Sequence, residues 1–182
     1  MTREVQIALL RGINVAGHNK LPMRELRSLC EELGWREVQS YIQSGNLVFR
    51  SASPAPRLEV ALEKAIEGRF GFSISVLIRS AKDWSFLLEG NPFPRESESE
   101  PHRVMILLSK KTPARSALRE LSPYAKNGER LRRVKHALWI HYPEGAGKSK
   151  LTPSVLERCV GSPVTARNWR TALKLEEIAR ST

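Results

Sequence analysis

Apolar positions along the chain fall into short runs and helical spacings that occur twice in the same order. Ile7, Ala8, Leu9 and Leu10 make a nearly continuous apolar run inside residues 4–11, the mark of a central strand. Met23, Leu26, Leu29, Cys30 and Leu33 then recur at helical spacing, with Pro22 at the first helical position and Gly34 as the stop. Residues 38–42 and 47–49 predict two more strands, and Leu58, Leu62, Ala65, Ile66 and Phe70 a second helix. Ile74, Val76 and Ile78 alternate with Ser75 and Leu77 in a fourth strand, and a short helix covers 83–88. That order is βαββαβ, the split pattern of ferredoxin-like sheets.

Residues 91–101, rich in Pro, Ser and Glu, predict a linker without packed structure. The order then repeats. Strands are predicted over 104–108, 130–134, 138–142 and 164–167, and helices over 113–121, from Pro153 (with Thr152 as N-cap) to the stop at Gly161, and over 169–179. The chain therefore reads as α+β, with one βαββαβ subdomain over 1–90, a linker over 91–101, and a second subdomain plus a C-terminal helix over 102–182.

Chain direction decides what meets what. If the first strand runs up, its helix returns down and the second strand runs up again. The loop 11–20 and the turn 43–46 then share one end of the first sheet. The same count in the second unit gathers 143–150 and 168–170 at one end. These four segments hold the unusual polar residues. Arg11, Asn14, His18, Asn19 and Lys20 offer donors in a glycine-containing loop, and Gln43, Ser44 and Asn46 stand at a turn. Lys148 and Ser149 follow two glycines ahead of a helix, a setting suited to an anion. Arg167, Asn168 and Trp169 form an Arg–amide–aromatic set suited to phosphate or to a stacked base.

Charge sharpens the ligand class. Thirty Lys and Arg stand against 19 Asp and Glu, a formal net charge of +11, which attracts phosphorylated small molecules and nucleic acid. The densest basic stretch, Arg130, Arg132, Arg133 and Lys135, splits between two faces of a strand and makes a poor single patch. Gly147-Lys148-Ser149 falls short of a Walker A loop, because Tyr142 stands where its first glycine belongs. His18 lacks a carboxylate close in sequence, and Ser44 lacks a Gly-x-Ser-x-Gly elbow. The sheet of an RNA-recognition module would need aromatics on its central strands, and here there is only Phe49. Cys30 and Cys159, set among apolar residues, read as buried reduced thiols, and no His/Cys spacing suggests a metal. No apolar run is long enough to cross a bilayer, and residues 1–10 do not read as a secretory signal, so the expected location is cytoplasmic, with no membrane partner.

The motifs 8–15, 17–20, 41–46, 141–151 and 165–171, taken together and in this order, resemble the bacterial domain-of-unknown-function family sixteen-ninety-seven. The resemblance implies two ferredoxin-like subdomains and carries no catalytic residue or cofactor. The leading expectation is a small anionic, phosphate-bearing ligand in a polar basic cleft. The alternatives are a nucleic-acid-binding module, and a hydrolase or transferase using His18 or Ser44.

Overall fold

The computed structural model describes residues 3–15 and 17–182. Its first sheet holds β1 (Glu4–Leu10), β2 (Arg36–Tyr41), β3 (Asn46–Ser51) and β4 (Val76–Ser80), in the order β2-β3-β1-β4 with every pair antiparallel. Helices α1 (Met23–Glu32) and α2 (Ala55–Phe70) cross over one face. β1 is central, as its unbroken apolar run requires. Ala8, Leu10, Leu47, Phe49, Val76 and Ile78 pack beneath Leu26, Leu29, Cys30, Leu58, Leu62 and Ile66 of the helices. Trp35 stacks on Phe49 at 3.9 Å. Gly34, at φ 83°, ends α1 by letting Trp35 N–H reach the Cys30 carbonyl (3.1 Å) and Gly34 N–H the Glu31 carbonyl (2.9 Å).

Both edges of this sheet are blunted. β2 carries an irregularity between Arg36 and Gln39, with Glu37 at φ 53°. Along β4, Val76 N–H donates to Glu63 and Ile78 N–H to Glu59, each at 2.8 Å, so two α2 carboxylates occupy amides that a further strand would use. β4 starts two residues later than predicted and runs to Ser80. Val76, Leu77 and Ile78 are all buried, so the strand is covered on both faces and the expected alternation is absent.

The second sheet, of β5 (Val104–Ser109), β6 (Arg130–Val134), β7 (Ala137–His141) and β8 (Val164–Asn168), repeats the order as β6-β7-β5-β8, again antiparallel. α3 (Ala81–Leu88) and α4 (Pro94–Ser99) lead from β4 to β5, α5 (Ser116–Leu121) and α6 (Pro153–Val160) lie between strands of the second sheet, and α7 (Trp169–Ser181) closes the chain. Each half is thus a ferredoxin-like βαββαβ sheet in an α+β chain. The compact units are Met1–Ser85 with Leu175–Thr182, and Phe86–Lys174.

The expected linker is instead a packed segment. Asn91 Oδ1 accepts Phe93 N–H (2.9 Å), its Nδ2 donates to Ser97 (2.7 Å), and Phe93 is 2% exposed ahead of α4. Glu96 pairs with Arg130, and Glu100 with Arg103 at 2.8 Å. One buried ring and paired acids order a stretch whose composition suggested none.

Candidate functional site

The first unit brings its two polar segments together as chain direction requires. Leu10 N–H donates to the Gly45 carbonyl (2.8 Å), and Leu9 lies opposite Asn46 in the ladder. Asn14, in the left-handed region at φ 54°, ties three strands of chain. Its Oδ1 accepts Leu21 N–H (2.8 Å), and its Nδ2 donates to the carbonyls of Leu21 (3.0 Å) and Gln43 (2.9 Å). Asn19, at φ 49°, donates to the Gly12 carbonyl (3.0 Å). Asn46, fully buried, donates to the Tyr41 carbonyl (2.9 Å) and to Ser44 Oγ (3.1 Å). Buried Ile13 and Leu21 pin the loop to the core. Three of the predicted ligand donors therefore hold backbone. Arg11 is half-buried, while His18, Lys20, Gln43 and Ser44 are exposed.

Beside this brace lies a cleft of about 430 Å3, lined by Asn14, Lys20, Leu21, Pro22, Met23, Arg24 and Gln43. Helix α1 begins in it. Pro22 is the residue before the helix, and as N-cap it makes no side-chain hydrogen bond to the first turn. The start of α1, with the positive end of its dipole, and the residues Lys20, Arg24 and Gln43 all border one space. Arg24 escaped sequence reasoning because an exposed arginine in a helix carries no local signal. Its position two residues after Pro22 was the available hint.

In the second unit the segments after β7 and β8 flank the start of β5, where Val104 lies opposite His141 and Met105 opposite Asn168. Their candidate residues are mostly engaged. Ser149 is buried and donates to Glu129, while Lys148 is exposed, 3.8 Å from Glu144. Thr152 accepts Val155 N–H (3.4 Å), so α6 begins with its cap in place. Asn168 caps α7 by accepting Thr171 N–H (2.9 Å), and Trp169 packs on Trp139 at 5.8 Å. Arg167 is 8% exposed and bonds Thr165 Oγ1 (2.7 Å) and the Ala166 carbonyl (2.8 Å). Burial pulls its guanidinium down to about 10. The Arg–amide–aromatic set is therefore built into the fold and does not face solvent as one surface. Of the cysteines, Cys30 is buried and Cys159 only half-buried. Both are free, and burial pushes the Cys30 thiol up.

Glu129, 8% exposed, is the hub of the Gly147–Ser149 loop. Burial pushes its carboxyl up. The Ser149 hydroxyl and backbone amides, including Asn127 N–H at 2.7 Å, outweigh that and hold it below the ordinary carboxylate range. A depressed carboxylate stabilises the fold at pH values above its unfolded pKa of about 4.3, and that stability is lost as pH falls through the folded value. Glu129→Gln is expected to flatten the acid limb of a denaturation series taken from about pH 6 down to about pH 3.

A buried histidine that sequence reasoning missed stands on β7. His141 Nδ1 is 3.2 Å from Arg130 Nη2, and its Nε2 is 3.4 Å from Glu100. Arginine only donates, so Nδ1 is the acceptor and the proton sits on Nε2, facing the carboxylate. With Arg130 also paired to Glu96 and lying 5.1 Å from the Phe93 ring, the network anchors α4. Among the described residues no cluster of His, Cys, Asp and Glu is placed to hold a metal ion, and no helix is long and apolar enough to cross a membrane.

Two antiparallel ferredoxin-like sheets, the first with a braced polar loop at one end, define the structural class. The chain belongs to the family described as "Protein of unknown function (DUF1697)", whose model matches residues 1–139. It is also similar to a solved structure, that of the conserved bacterial protein SP0830 from Streptococcus pneumoniae. The likeness has a TM-score of 0.77 at 25% identity and covers 98% of this chain and 99% of that one. No curated protein matches the chain.

Proposed function

We propose that the first unit binds a small anionic, phosphate-bearing ligand in the cleft at the start of α1. The observation that carries this reading is the helix start itself, whose N-cap Pro22 offers no side-chain cap and which is bordered by Lys20, Arg24 and Gln43. Helix amides and cations together favour an anion there. A cleft of about 430 Å3 leaves room for a phosphate and a modest organic group. A nucleic-acid surface has less support. Arg133 donates to the Pro113 carbonyl (2.6 Å), Arg130 serves Glu96 and His141, and Lys135 lies 3.2 Å from the Phe86 ring centre.

A thermal-shift screen with inorganic phosphate, sugar phosphates, mononucleotides and short oligonucleotides at two salt concentrations tests the reading. One phosphate-bearing class should raise the melting temperature, reaching about 2.7 kcal/mol of stabilisation at a hundredfold excess over Kd and rising logarithmically beyond it. The Lys20→Ala/Arg24→Ala double variant should lose that response. Stabilisation by oligonucleotides alone, falling steeply with salt and indifferent to both substitutions, would favour nucleic acid instead.

A further inference from the structure

The two edges of the second sheet differ. At β8, Val164 N–H donates to Glu157 of α6 (3.2 Å), the device that Glu59 and Glu63 supply at β4. At β6 no carboxylate does this among the described residues, and the ladder to β7 runs from Arg130 to Val134 without an irregularity. Lys135 and His136 form a two-residue turn, so Val134 and Ala137 are the closing hydrogen-bonded pair. Alternation makes Arg132–Trp139 and Arg130–His141 the other bonded pairs. Leu131 and Arg133 therefore turn their backbone N–H and C=O away from β7. Neither N–H has a partner among the described residues. The Leu131 carbonyl accepts from the Arg132 guanidinium (3.0 Å) and keeps a second lone pair.

A groove of about 300 Å3 runs beside this edge. Leu118, Ser122 and Ala125 line it from the α5 segment, and Arg130, Leu131 and Arg132 from β6. Each is half-buried or exposed, so the groove is open to solvent. Leu131 packs toward the core on the helix-covered face, and Arg130 and Arg132 lie on the other face. The acid in the lining, Glu129, is buried and held by Ser149 and by Asn127 N–H. Arg130 serves Glu96 and His141. Arg132 is exposed and has no carboxylate partner among the described residues, and exposed Lys126 follows Ala125.

We infer that β6 accepts an extended acidic peptide as an additional strand. Outward N–H and C=O groups in alternation are matched by another strand, whereas phosphates match only the donors. Side chains of an added strand alternate as those of β6 do. Those level with Leu131 enter the groove and meet Leu118 and Ala125, which favours aliphatic residues. Their neighbours fall beside Arg130 and Arg132, which favours carboxylates. The partner is thus a segment that alternates Asp or Glu with aliphatic residues. A second copy of this chain fits poorly, because its own β6 would set arginine against arginine. The net charge of +11 adds a long-range pull on an acidic segment. The groove belongs to the second unit, so its test is independent of the anion cleft.

The experiment is a titration of the full chain with the acetylated, amidated peptide EVELEVE at constant ionic strength, followed by 1H–15N spectra. Saturable shifts and slowed hydrogen exchange are expected at the Leu131 and Arg133 backbone amides. The isomer EEVLVEE has the same charge without the alternation, and KVKLKVK keeps the alternation with the charge reversed. Neither should match EVELEVE. Arg132→Glu, at an exposed position, should keep the parent's melting curve. It should bind EVELEVE about tenfold more weakly, since an attractive cross-strand pair becomes a repulsive one. No saturable shift, equal binding of either control peptide, or unchanged affinity in Arg132→Glu would overturn the inference. So would shifts at these amides that grow with protein concentration alone, the mark of a second copy, or that a short oligonucleotide produces in place of the peptide.

Discussion

Gly45→Ala is expected to destabilise the protein by about 3 kcal/mol, the sum of roughly 1–2 for a side chain in the left-handed region and roughly 1–3 for overpacking. Gly45 sits at φ 81° in the turn between β2 and β3. A Cβ there would lie 2.7 Å from Leu10 Cβ and 2.8 Å from Ile13 Cδ1, closer than packed carbons tolerate. Both neighbours are buried, so neither can swing into solvent. For a chain of this size the melting temperature should fall by about 6–12 °C. Gly147→Ala is the control. That residue has no positive φ and nothing within 4 Å of an added Cβ, so its change should stay within about 0.5 kcal/mol. Paired melting curves of the two variants check both statements.

Asn14→Ala should cost about 4 kcal/mol, from three hydrogen bonds at about 1 kcal/mol each plus about 1 kcal/mol for alanine at positive φ. The bonds are those to Leu21 N–H, the Leu21 carbonyl and the Gln43 carbonyl. Asn14→Gly separates the two parts. Glycine adopts φ 54° freely, so it should recover about 1 kcal/mol of the loss and leave the rest as the worth of the brace. Equal losses in the two variants would place the whole effect in the side-chain bonds. Denaturant titration of both resolves the question.

What the sequence made legible, and what it hid, divide along physical lines. The unbroken apolar run of β1 announced a central strand, and Gly34, Thr152 and Gly161 announced helix ends, because each signal lies within a few residues of the feature it sets. Chain reversal then placed the 11–20 loop beside the 43–46 turn without any contact being known. Residues 91–101 misled because their order comes from partners far along the chain, Arg130 and His141, that composition does not report. The site was only half legible for a related reason. An asparagine that binds a ligand and one that holds a carbonyl look alike in sequence, and Asn14, Asn19 and Asn46 do the second. Arg24, which borders the cleft, looked like any exposed helical arginine.

The central claim is that the helix start beside Lys20 and Arg24 attracts an anion. A titration of the full chain with inorganic phosphate, followed at the backbone amides of Met23, Arg24 and Gln43, tests it most directly. Saturable shifts at these three amides, abolished in the Lys20→Ala/Arg24→Ala variant, are the predicted result. Shifts that never saturate, that scatter over unrelated lysines, or that persist in the double variant would contradict it.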